Sequence, residues 1–488
     1  MTNFWTAAAS QMNDAYTDNG ALAKESTLNI HLDFFSKVAA LRKMPGAFTP
    51  LFSKSFALDP EKALRILFYA RDIRGGQGER NIFRLGLKYL VSIGQFDMLR
   101  KLVPLVPEYG RWDDLWVLFD SEVWSDVTAF VFTQLKKDIS AMGENQPISL
   151  LAKWMPSENA SSLNTKKMAK SMIAASGLSS RQYRKTLTAL RTHLRIVEQK
   201  MCGNEWRSID YSQVPSKASL MYRKAFQKRD GARYQAFLEA VEKGEAKINA
   251  GTLYPHELVY DYLYSSGTKD ATLNALWANL PNFLTELMNG IVVADVSGSM
   301  YGTPMAASIG LAMYIAERNP SEYWRDKFIT FSSIPRMQQI LGNTLQEKIN
   351  NLSKAHWSNS TNLQAVFDAI LAAGQQHKLP ESAMPEFILI ISDKQFDIAC
   401  PSNTRTNLEE IKLKYSQAGY EMPKLVFWNV DGSNTAPATM LDSGTALISG
   451  SSPSVLKNLF KSLSFNPLDV MQEILYDSRY DAVGELFS

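Results

Sequence analysis

The chain has 488 residues and a formal net charge of +3, from 52 lysines and arginines against 49 aspartates and glutamates. Apolar residues make up 45% of it, which excludes a largely disordered or low-complexity protein. The length predicts roughly two to four domains. Two distant cysteines, Cys202 and Cys400, cannot build a disulfide framework. With no signal peptide and no apolar run that could span a membrane, a cytoplasmic protein without a membrane partner is expected.

Residues 1–289 are predicted to be helical. Apolar residues recur there at helical spacing, as at Leu64, Leu67 and Phe68. Segments with the same spacing lie at 28–42, 80–93, 126–141, 181–201, 217–227 and 231–242. Glycine- and proline-containing breaks separate them, and strand alternation is scarce. The pattern predicts helix pairs stacked into a HEAT-like array, although no strict repeat period is present.

A short glycine-containing segment, Arg71 to Arg80, is a candidate phosphate-binding loop within this helical region. Its three glycines could expose backbone N–H groups to an anion. It lacks the preceding strand and the Lys-Ser/Thr ending of a P-loop, so nucleotide hydrolysis is not predicted. The favoured interpretation is a helix–helix turn whose arginines pair with Asp72, Glu79 or the neighbouring acids Asp113 and Asp114, which cap or support a helix.

Positive charge is concentrated in residues 151–250, which hold 19 basic against 8 acidic residues, whereas residues 291–488 hold 15 against 20. The candidate nucleic-acid-binding residues of this block are Arg181, Arg184, Lys185, Arg191, Arg195, Arg223, Lys224, Lys228 and Arg229. The aromatic residues interleaved with them are Tyr183, Trp206, Tyr211, Tyr222 and Phe226. Such a surface would bind mainly phosphates, with strong salt dependence, and could stack unpaired bases. The alternative is a solvated helix face whose aromatic residues belong to the core.

From Gly290 onward, buried strands alternate with helices. The predicted strands are 291–295, 327–331, 387–393, 424–430 and 446–450, and the predicted helices are 304–318, 362–373, 407–418, 453–462 and 467–476. Continuous apolar strands of this kind belong to parallel sheets that helices cover on both faces. The sequence therefore predicts two domains, an all-α domain at 1–289 and a doubly wound, Rossmann-like α/β domain at 290–488.

The segment Asp295-Val296-Ser297-Gly298-Ser299 directly follows the first predicted strand. One carboxylate and two hydroxyls on a tight loop are hard oxygen ligands, which suit Mg²⁺ or Mn²⁺. Thr361 opens a later helix and Asp393 ends a later strand, so both are expected at the same edge of the sheet. No nucleophile–base pair and no histidine motif accompanies them. A binding site, not an enzyme active site, is predicted.

With these residues in this order, residues 290–488 resemble a von Willebrand factor A domain with a metal-ion-dependent adhesion site. The resemblance implies that a divalent metal is held, partly through water, by Asp295, Ser297, Ser299, Thr361 and Asp393. Mg²⁺ is the expected ion, with Mn²⁺ or Ca²⁺ as alternatives, and its open position would accept an acidic group of a protein partner. Ser360 and Lys394 stand where such domains commonly have glycine. Lys394 would weaken metal binding if it pointed inward, and Asp397 could offset this effect.

Short sequence motifs in the helical region extend the resemblance beyond the α/β domain. They lie at residues 17–21, 32–35, 71–80, 109–115, 153–156, 209–211 and 214–218. Together they make nearly the whole chain similar to the domain of unknown function 2828 family, found in cellular and viral genomes. That family is similar in architecture to TROVE-type Ro proteins, in which a von Willebrand A domain closes a ring of helical repeats. Ro proteins bind small structured RNAs and the single-stranded ends of misfolded RNAs.

The leading hypothesis is therefore a Ro-like, non-enzymatic RNA-binding protein of a ribonucleoprotein. Its helical ring or horseshoe would carry small structured or misfolded RNA, and its A domain would hold the metal. The alternative is a metal-dependent protein–protein interaction scaffold, or a structural component of a larger particle, including a viral one.

Overall fold

A helical part followed by an α/β part makes up the chain, as the sequence predicts. The computed structural model describes residues 12–38, 40–264, 270–284, 289–331, 335–353, 361–432, 435–459 and 465–487. Among these residues, no helix combines the length and the apolar character that crossing a membrane requires.

The helical part contains helices of 4 to 27 residues, joined by turns and loops. The helices are α1 (Ile30–Lys37), α2 (Pro45–Leu58), α3 (Pro60–Arg71), α4 (Arg80–Ser92), α5 (Phe96–Leu102), α6 (Val106–Tyr109), α7 (Trp124–Gly143), α8 (Leu151–Trp154), α9 (Leu163–Ser176), α10 (Ser180–His193), α11 (Val197–Cys202), α12 (Ser216–Glu242), α13 (Pro255–Tyr264) and α14 (Ala271–Ala278). The predicted helix at 181–201 is divided into α10 and α11. The predicted helices at 217–227 and 231–242 are joined in α12, with a kink at Asp230, whose φ of −143° is not helical.

A β-hairpin that the sequence pattern does not predict precedes the helices. Its strands, β1 (Asp14–Tyr16) and β2 (Leu22–Lys24), are antiparallel. The hairpin is attached to the α/β part, because the backbone of Lys24 exchanges hydrogen bonds of 3.0 and 2.7 Å with that of Ala436. Strands of three residues are too short to show the alternation that identifies a strand in a sequence.

The α/β part is built on a six-stranded sheet. Its strands are β3 (Gly290–Ala294), β4 (Lys327–Thr330), β5 (Arg336–Gln339), β6 (Phe387–Ser392), β7 (Lys424–Asn429) and β8 (Thr445–Ser449). Their order across the sheet is β5-β4-β3-β6-β7-β8, and only the pairing of β5 with β4 is antiparallel within this described sheet. The chain thus begins in the middle, moves outward to β5 and returns to the other side at β6. In doubly wound sheets, this reversal opens a crevice beyond the carboxyl ends of the two central strands.

Helices cover this sheet in the order that the sequence predicts. They are α15 (Thr303–Arg318), α16 (Leu345–Ser353), α17 (Leu363–His377), α18 (Asn407–Ala418), α19 (Leu456–Leu459), α20 (Pro467–Leu475) and α21 (Asp481–Gly484). The predicted helix at 453–462 consists of a short 3₁₀ turn and α19, and residues 460–462 lie outside the described residues. The edge strand β5 is the one strand of the sheet that the sequence does not predict, because three of its four residues are polar and most of them are exposed.

Both ends of the helical part pack on the α/β part. At the first end, the hydroxyl of Ser449 in β8 donates a hydrogen bond of 3.1 Å to the carbonyl of Phe35 in α1. At the other end, α13 crosses α15 so closely that a Cβ atom on Gly310 would lie 2.9 Å from the backbone nitrogen of His256. Glycine at this position therefore permits the contact. A continuous cluster of buried apolar residues extends from Leu32 to Val483.

Candidate functional site

The loop after β3 gathers oxygen atoms at the carboxyl end of the sheet. Asp295 is completely buried there. One of its carboxylate oxygens accepts a hydrogen bond of 2.9 Å from the backbone N–H of Ser297, and the other accepts one of 2.6 Å from the hydroxyl of Ser392. The hydroxyl oxygens of Ser297 and Ser299 lie 3.1 Å apart. The structure thus brings the first three predicted ligands together on one loop.

Asp393 joins this group from the neighbouring strand. Because β3 and β6 are parallel neighbours, both acids leave the sheet at the same edge. Burial, together with the negative charge of Asp393, raises the pKa of Asp295 to about 6. Two acids that repel each other in a buried position are stabilised in their ionised form by a cation.

Thr361 lies against the loop that follows Asp393, and residues 354–360, including Ser360, lie outside the described residues. Its hydroxyl donates a hydrogen bond of 2.7 Å to the carbonyl of Gln395 and lies 3.1 Å from a carboxylate oxygen of Asp397. It also accepts a hydrogen bond of 2.7 Å from the side-chain amide of Asn19. The oxygen of this predicted ligand is therefore already engaged within the protein.

Asn19 is a residue of this site that the ligand pattern does not predict. It lies in the loop between β1 and β2, and its amide nitrogen is 2.6 Å from the carbonyl oxygen of Gln395 and 3.1 Å from Asp397. The loop is held in place by Thr17, whose hydroxyl donates to the carbonyl of Phe396. The phrase Thr17-Asp18-Asn19-Gly20 stands out in the sequence, but nothing in it indicates a contact with a residue more than 300 positions away.

Lys394 is buried beside the candidate ligands. Its φ of 67° lies in the left-handed region, which explains why glycine suits this position. Burial, with repulsion from Lys37, lowers the pKa of Lys394 to about 7, and attraction to Asp33 and Asp393 opposes this shift. Lys394 thus interacts electrostatically with Asp33 of α1 and with Asp393 of the candidate site.

The donor set fits a small, hard divalent cation. It comprises two carboxylates and three hydroxyls, which Mg²⁺ accepts as direct or water-mediated ligands. The fit rests on Asp295, whose buried carboxylate faces a second acid, and Asn19 uses the same hydroxyl oxygen of Thr361 that the metal would use. Within the described ranges, no group of three or more His, Cys, Asp or Glu side chains is arranged to hold a metal ion, so the candidate site depends on its hydroxyl oxygens.

The basic block presents most of its predicted cations to solvent. The exposed ones are Arg181, Arg184, Lys185, Arg195, Lys224, Lys228 and Arg229. Arg184 forms an ion pair of 2.9 Å with Glu158. Lys224 and Lys228 line a groove of ≈ 420 Å³ together with the side-chain amides of Gln227 and Gln235. This groove places two exposed lysines and two amides of the candidate surface side by side.

Two of the predicted phosphate-binding arginines have structural roles instead, which corrects the sequence prediction. Arg191 donates hydrogen bonds of 2.8 and 3.1 Å to the carbonyls of Ala152 and Met155. Arg223 is buried and pairs with Asp261 and Asp270. Most donors of these two guanidinium groups are thus bound to partners within the protein.

The aromatic residues of the block belong mainly to the core. Tyr183, Tyr211 and Phe226 are buried, and the ring centroids of the last two are 5.2 Å apart. Trp206 and Tyr222 are half-buried. The alternative that the aromatic residues belong to the core is therefore confirmed for these three, which are not exposed for stacking on bases.

The Arg71–Arg80 segment is the helix–helix turn that the favoured interpretation predicts. Arg71 forms a buried ion pair of 2.7 Å with Asp114, and Arg80 lies 3.7 Å from Asp113. The carboxylate of Asp72 accepts hydrogen bonds of 3.1 Å from the backbone N–H groups of Arg74 and Gly75. An internal carboxylate thus occupies the position that a phosphate would need.

Comparison with known proteins relates the whole chain to others of unknown function. A family model described as Domain of unknown function (DUF2828) matches residues 17–93 and 159–280, and one described as Domain of unknown function (DUF7788) matches residues 289–479. Uncharacterized protein L728 of Acanthamoeba polyphaga mimivirus is 31% identical over 502 aligned residues, which cover 95% of this chain and 87% of that protein. The chain belongs to the DUF2828 family. The two matched regions meet between residues 280 and 289, where the helical part gives way to β3.

The structural role of Arg223 in this DUF2828 protein can be tested against its exposed neighbour. We expect Arg223→Gln to lower the free energy of unfolding by about 2 kcal/mol, because it leaves Asp261 and Asp270 without their partner. Lys224→Gln, the matched control, should change it by less than about 0.5 kcal/mol. Urea unfolding followed by circular dichroism measures both, and equal effects would contradict the assignment.

The buried carboxylate of Asp295 makes a pH-dependent prediction. Its pKa is about 6 in the folded protein, above the ordinary value of 3.8 for an aspartate, so ionised Asp295 costs stability at pH 7 and above. In the presence of EDTA, Asp295→Asn should therefore raise the free energy of unfolding at neutral pH by about 2 kcal/mol. The gain should shrink as the pH falls below 6, because wild-type Asp295 then becomes protonated. Glu144→Gln, an exposed control, should show no such pattern in thermal melts.

Proposed function

We propose that this protein binds RNA through the exposed basic surface of α10 and α12 and holds a divalent metal in its α/β part, as a Ro-like ribonucleoprotein component without enzymatic activity. The proposal rests on the groove that Lys224 and Lys228 line, one helical turn apart on α12. The side-chain amides of Gln227 and Gln235 line the same groove. No ion pair to a described residue neutralises either lysine.

The chemistry of this surface favours phosphates over base edges. Arg181 and Lys185 are also one turn apart and exposed, on α10, so a phosphate backbone could meet cations on two helices. The α/β part has an excess of acidic residues, which disfavours RNA there. Binding should therefore be strongly salt-dependent, with limited sequence specificity.

The strand order of the sheet supports a metal site of the von Willebrand A type at the carboxyl ends of β3 and β6. Asp295, Ser297, Ser299, Asp393 and Thr361 would hold it, and Asn19 competes for the oxygen of Thr361. When bound, the metal would supply a positive charge with an open coordination position. The protein residues orient the ligands, since Ser392 and the backbone N–H of Ser297 fix the carboxylate of Asp295.

A protein-interaction scaffold is the second candidate function, and one observation favours it. Tyr301 follows the candidate metal loop and is 77% exposed. Its ring contacts that of Tyr264 at 5.2 Å, and the hydroxyl of Tyr264 accepts a hydrogen bond of 2.9 Å from the backbone N–H of Gly302. Tyrosine is enriched at the hot spots of protein–protein interfaces, so an exposed tyrosine held in position by these contacts suits a protein-binding surface.

The RNA proposal predicts that Lys224→Glu/Lys228→Glu weakens binding of a 3′-tailed RNA hairpin by at least about tenfold, because two phosphate contacts are lost. The salt dependence measured between about 50 and 200 mM should become less steep. Fluorescence anisotropy of labelled RNA measures both quantities.

The matched control for this experiment is Lys136→Glu/Lys137→Glu, which makes the same charge change on exposed residues of α7. Its affinity for the RNA should stay within about twofold of wild type. Equal losses in the two double variants would show that only net charge matters, against the proposed surface. Wild-type protein that binds no RNA but captures a partner only with Mg²⁺ would favour the scaffold.

The metal proposal predicts that Asn19→Ala raises the affinity for Mg²⁺ by about fivefold, because it removes one hydrogen bond that competes for Thr361. The Mg²⁺-dependent rise in melting temperature measures this affinity. Asp295→Ala should abolish the rise, and Asn159→Ala, an exposed control, should leave it unchanged. A lower affinity in Asn19→Ala would mean that Asn19 supports the metal site instead of competing with it.

A further inference from the structure

A groove of ≈ 680 Å³ lies in the helical part, away from the groove of Lys224 and Lys228. Its walls are α4, the 3₁₀ turn at Trp112–Leu118, the loop after α8 and the start of α9. Its volume is in the range of small-molecule binding sites, about 300 to 1,000 Å³. None of the candidate metal ligands and none of the candidate nucleic-acid-binding residues lines this groove.

One wall of the groove is aromatic and fixed in position. Trp116 and Trp154 line it, and both are half-buried. The indole N–H of Trp116 donates a hydrogen bond of 3.0 Å to the carbonyl of Trp154. The guanidinium of Arg111 lies 4.2 Å from the ring centroid of Trp154. Because these contacts hold the indoles before a ligand arrives, little conformational entropy is lost when a planar ring packs on them.

A second wall is cationic. Arg84 is held by Asp113 and Asp114 at 2.9 and 2.8 Å, and its Nη1 makes no hydrogen bond to a described residue. Lys88, one helical turn further along α4, is exposed and has no ion pair in the part of the chain that the structure describes. Arg42 lines the groove as well, fixed by Glu79 at 2.7 Å. The single acid of the lining, Asp113, is already paired with arginines.

Uncommitted amide groups complete the lining. Asn81 and Asn164 are exposed, and neither side chain makes a hydrogen bond within the described ranges. Each offers both a donor and an acceptor, as the edge of a nucleobase requires. Fixed aromatic rings, the free ammonium group of Lys88, the unused Nη1 of Arg84 and free amides in one groove match a ligand with a planar polar ring and a phosphate.

We infer that this groove binds a nucleoside phosphate, either as a free nucleotide or as an unpaired nucleotide of an RNA strand. The base packs on Trp116 and Trp154, and the phosphate is bound by Lys88 and the free Nη1 of Arg84. Aromatic stacking accepts any base, so the site discriminates weakly among nucleotides. The inference does not require the proposed RNA binding at α10 and α12, because a free nucleotide can fill the groove alone.

The test uses the full-length chain and two probes, AMP measured by calorimetry and a fluorescein-labelled single-stranded oligouridylate measured by anisotropy. Lys88→Glu should weaken binding of each probe that wild type binds by at least about tenfold, because it replaces the phosphate contact with repulsion. Lys101→Glu, which reverses an exposed lysine on α5, is the matched control and should stay within about twofold. Both positions are exposed, and circular dichroism verifies that the variants are folded.

The outcomes separate the two sources of the ligand. Binding of AMP that Lys88→Glu removes identifies a free-nucleotide site, and binding of the oligonucleotide alone identifies a strand-binding site. No saturable binding of either probe to wild type, or equal affinities of Lys88→Glu and Lys101→Glu, overturns the inference. Lys224→Glu/Lys228→Glu should leave AMP binding unchanged, so a failure of the basic surface is distinguishable from a failure of the groove.

Discussion

The buried carboxylate of Asp72 joins the helical part to the C-terminal segment of the chain. It accepts hydrogen bonds from the backbone of the glycine-containing turn and two of 3.0 Å from the guanidinium of Arg479. The hydroxyl of Tyr480 lies 3.3 Å from it. An unpaired carboxylate that stayed buried in this position would cost several kcal/mol, so Arg479 and Tyr480 stabilise the buried Asp72. The ion pair of Asp72 and Arg479 therefore links the helical part to the end of the α/β part.

The central strands of the sheet could be predicted because burial on both faces leaves a continuous apolar run, as in Phe387–Ser392. The positions of Asp295 and Asp393 follow from them, since the carboxyl ends of parallel strands share an edge. The strand Arg336–Gln339 could not be predicted in this way, because an exposed edge strand needs no apolar run. The hairpin strands are also missing from the pattern, since three residues contain too little information about periodicity.

The roles of individual polar residues were less predictable than the elements that carry them. Helical spacing indicates which face of α12 is polar, but the partners of Arg223 lie 38 and 47 positions further along the chain. Arg191 binds carbonyls that only the packing of α8 brings near. A sequence therefore predicts the charge of a surface better than it predicts which charges remain free, because tertiary packing decides the pairing.

The contact between Asn19 and Thr361 couples the proposed metal to the start of the helical part. To the extent that the proposed metal and the amide of Asn19 compete for this hydroxyl oxygen, tightening of the hairpin loop and metal binding weaken each other by the same free energy. The loop keeps other contacts, through Thr17 and through the hydrogen bond of 3.0 Å from the backbone of Leu22 to Asn403, so loss of Asn19 does not release it. The coupling is then limited to the hydrogen bonds of one amide, about 1 to 2 kcal/mol. That value permits modulation of metal affinity but not an all-or-none switch, since a complete switch requires about 5.5 kcal/mol.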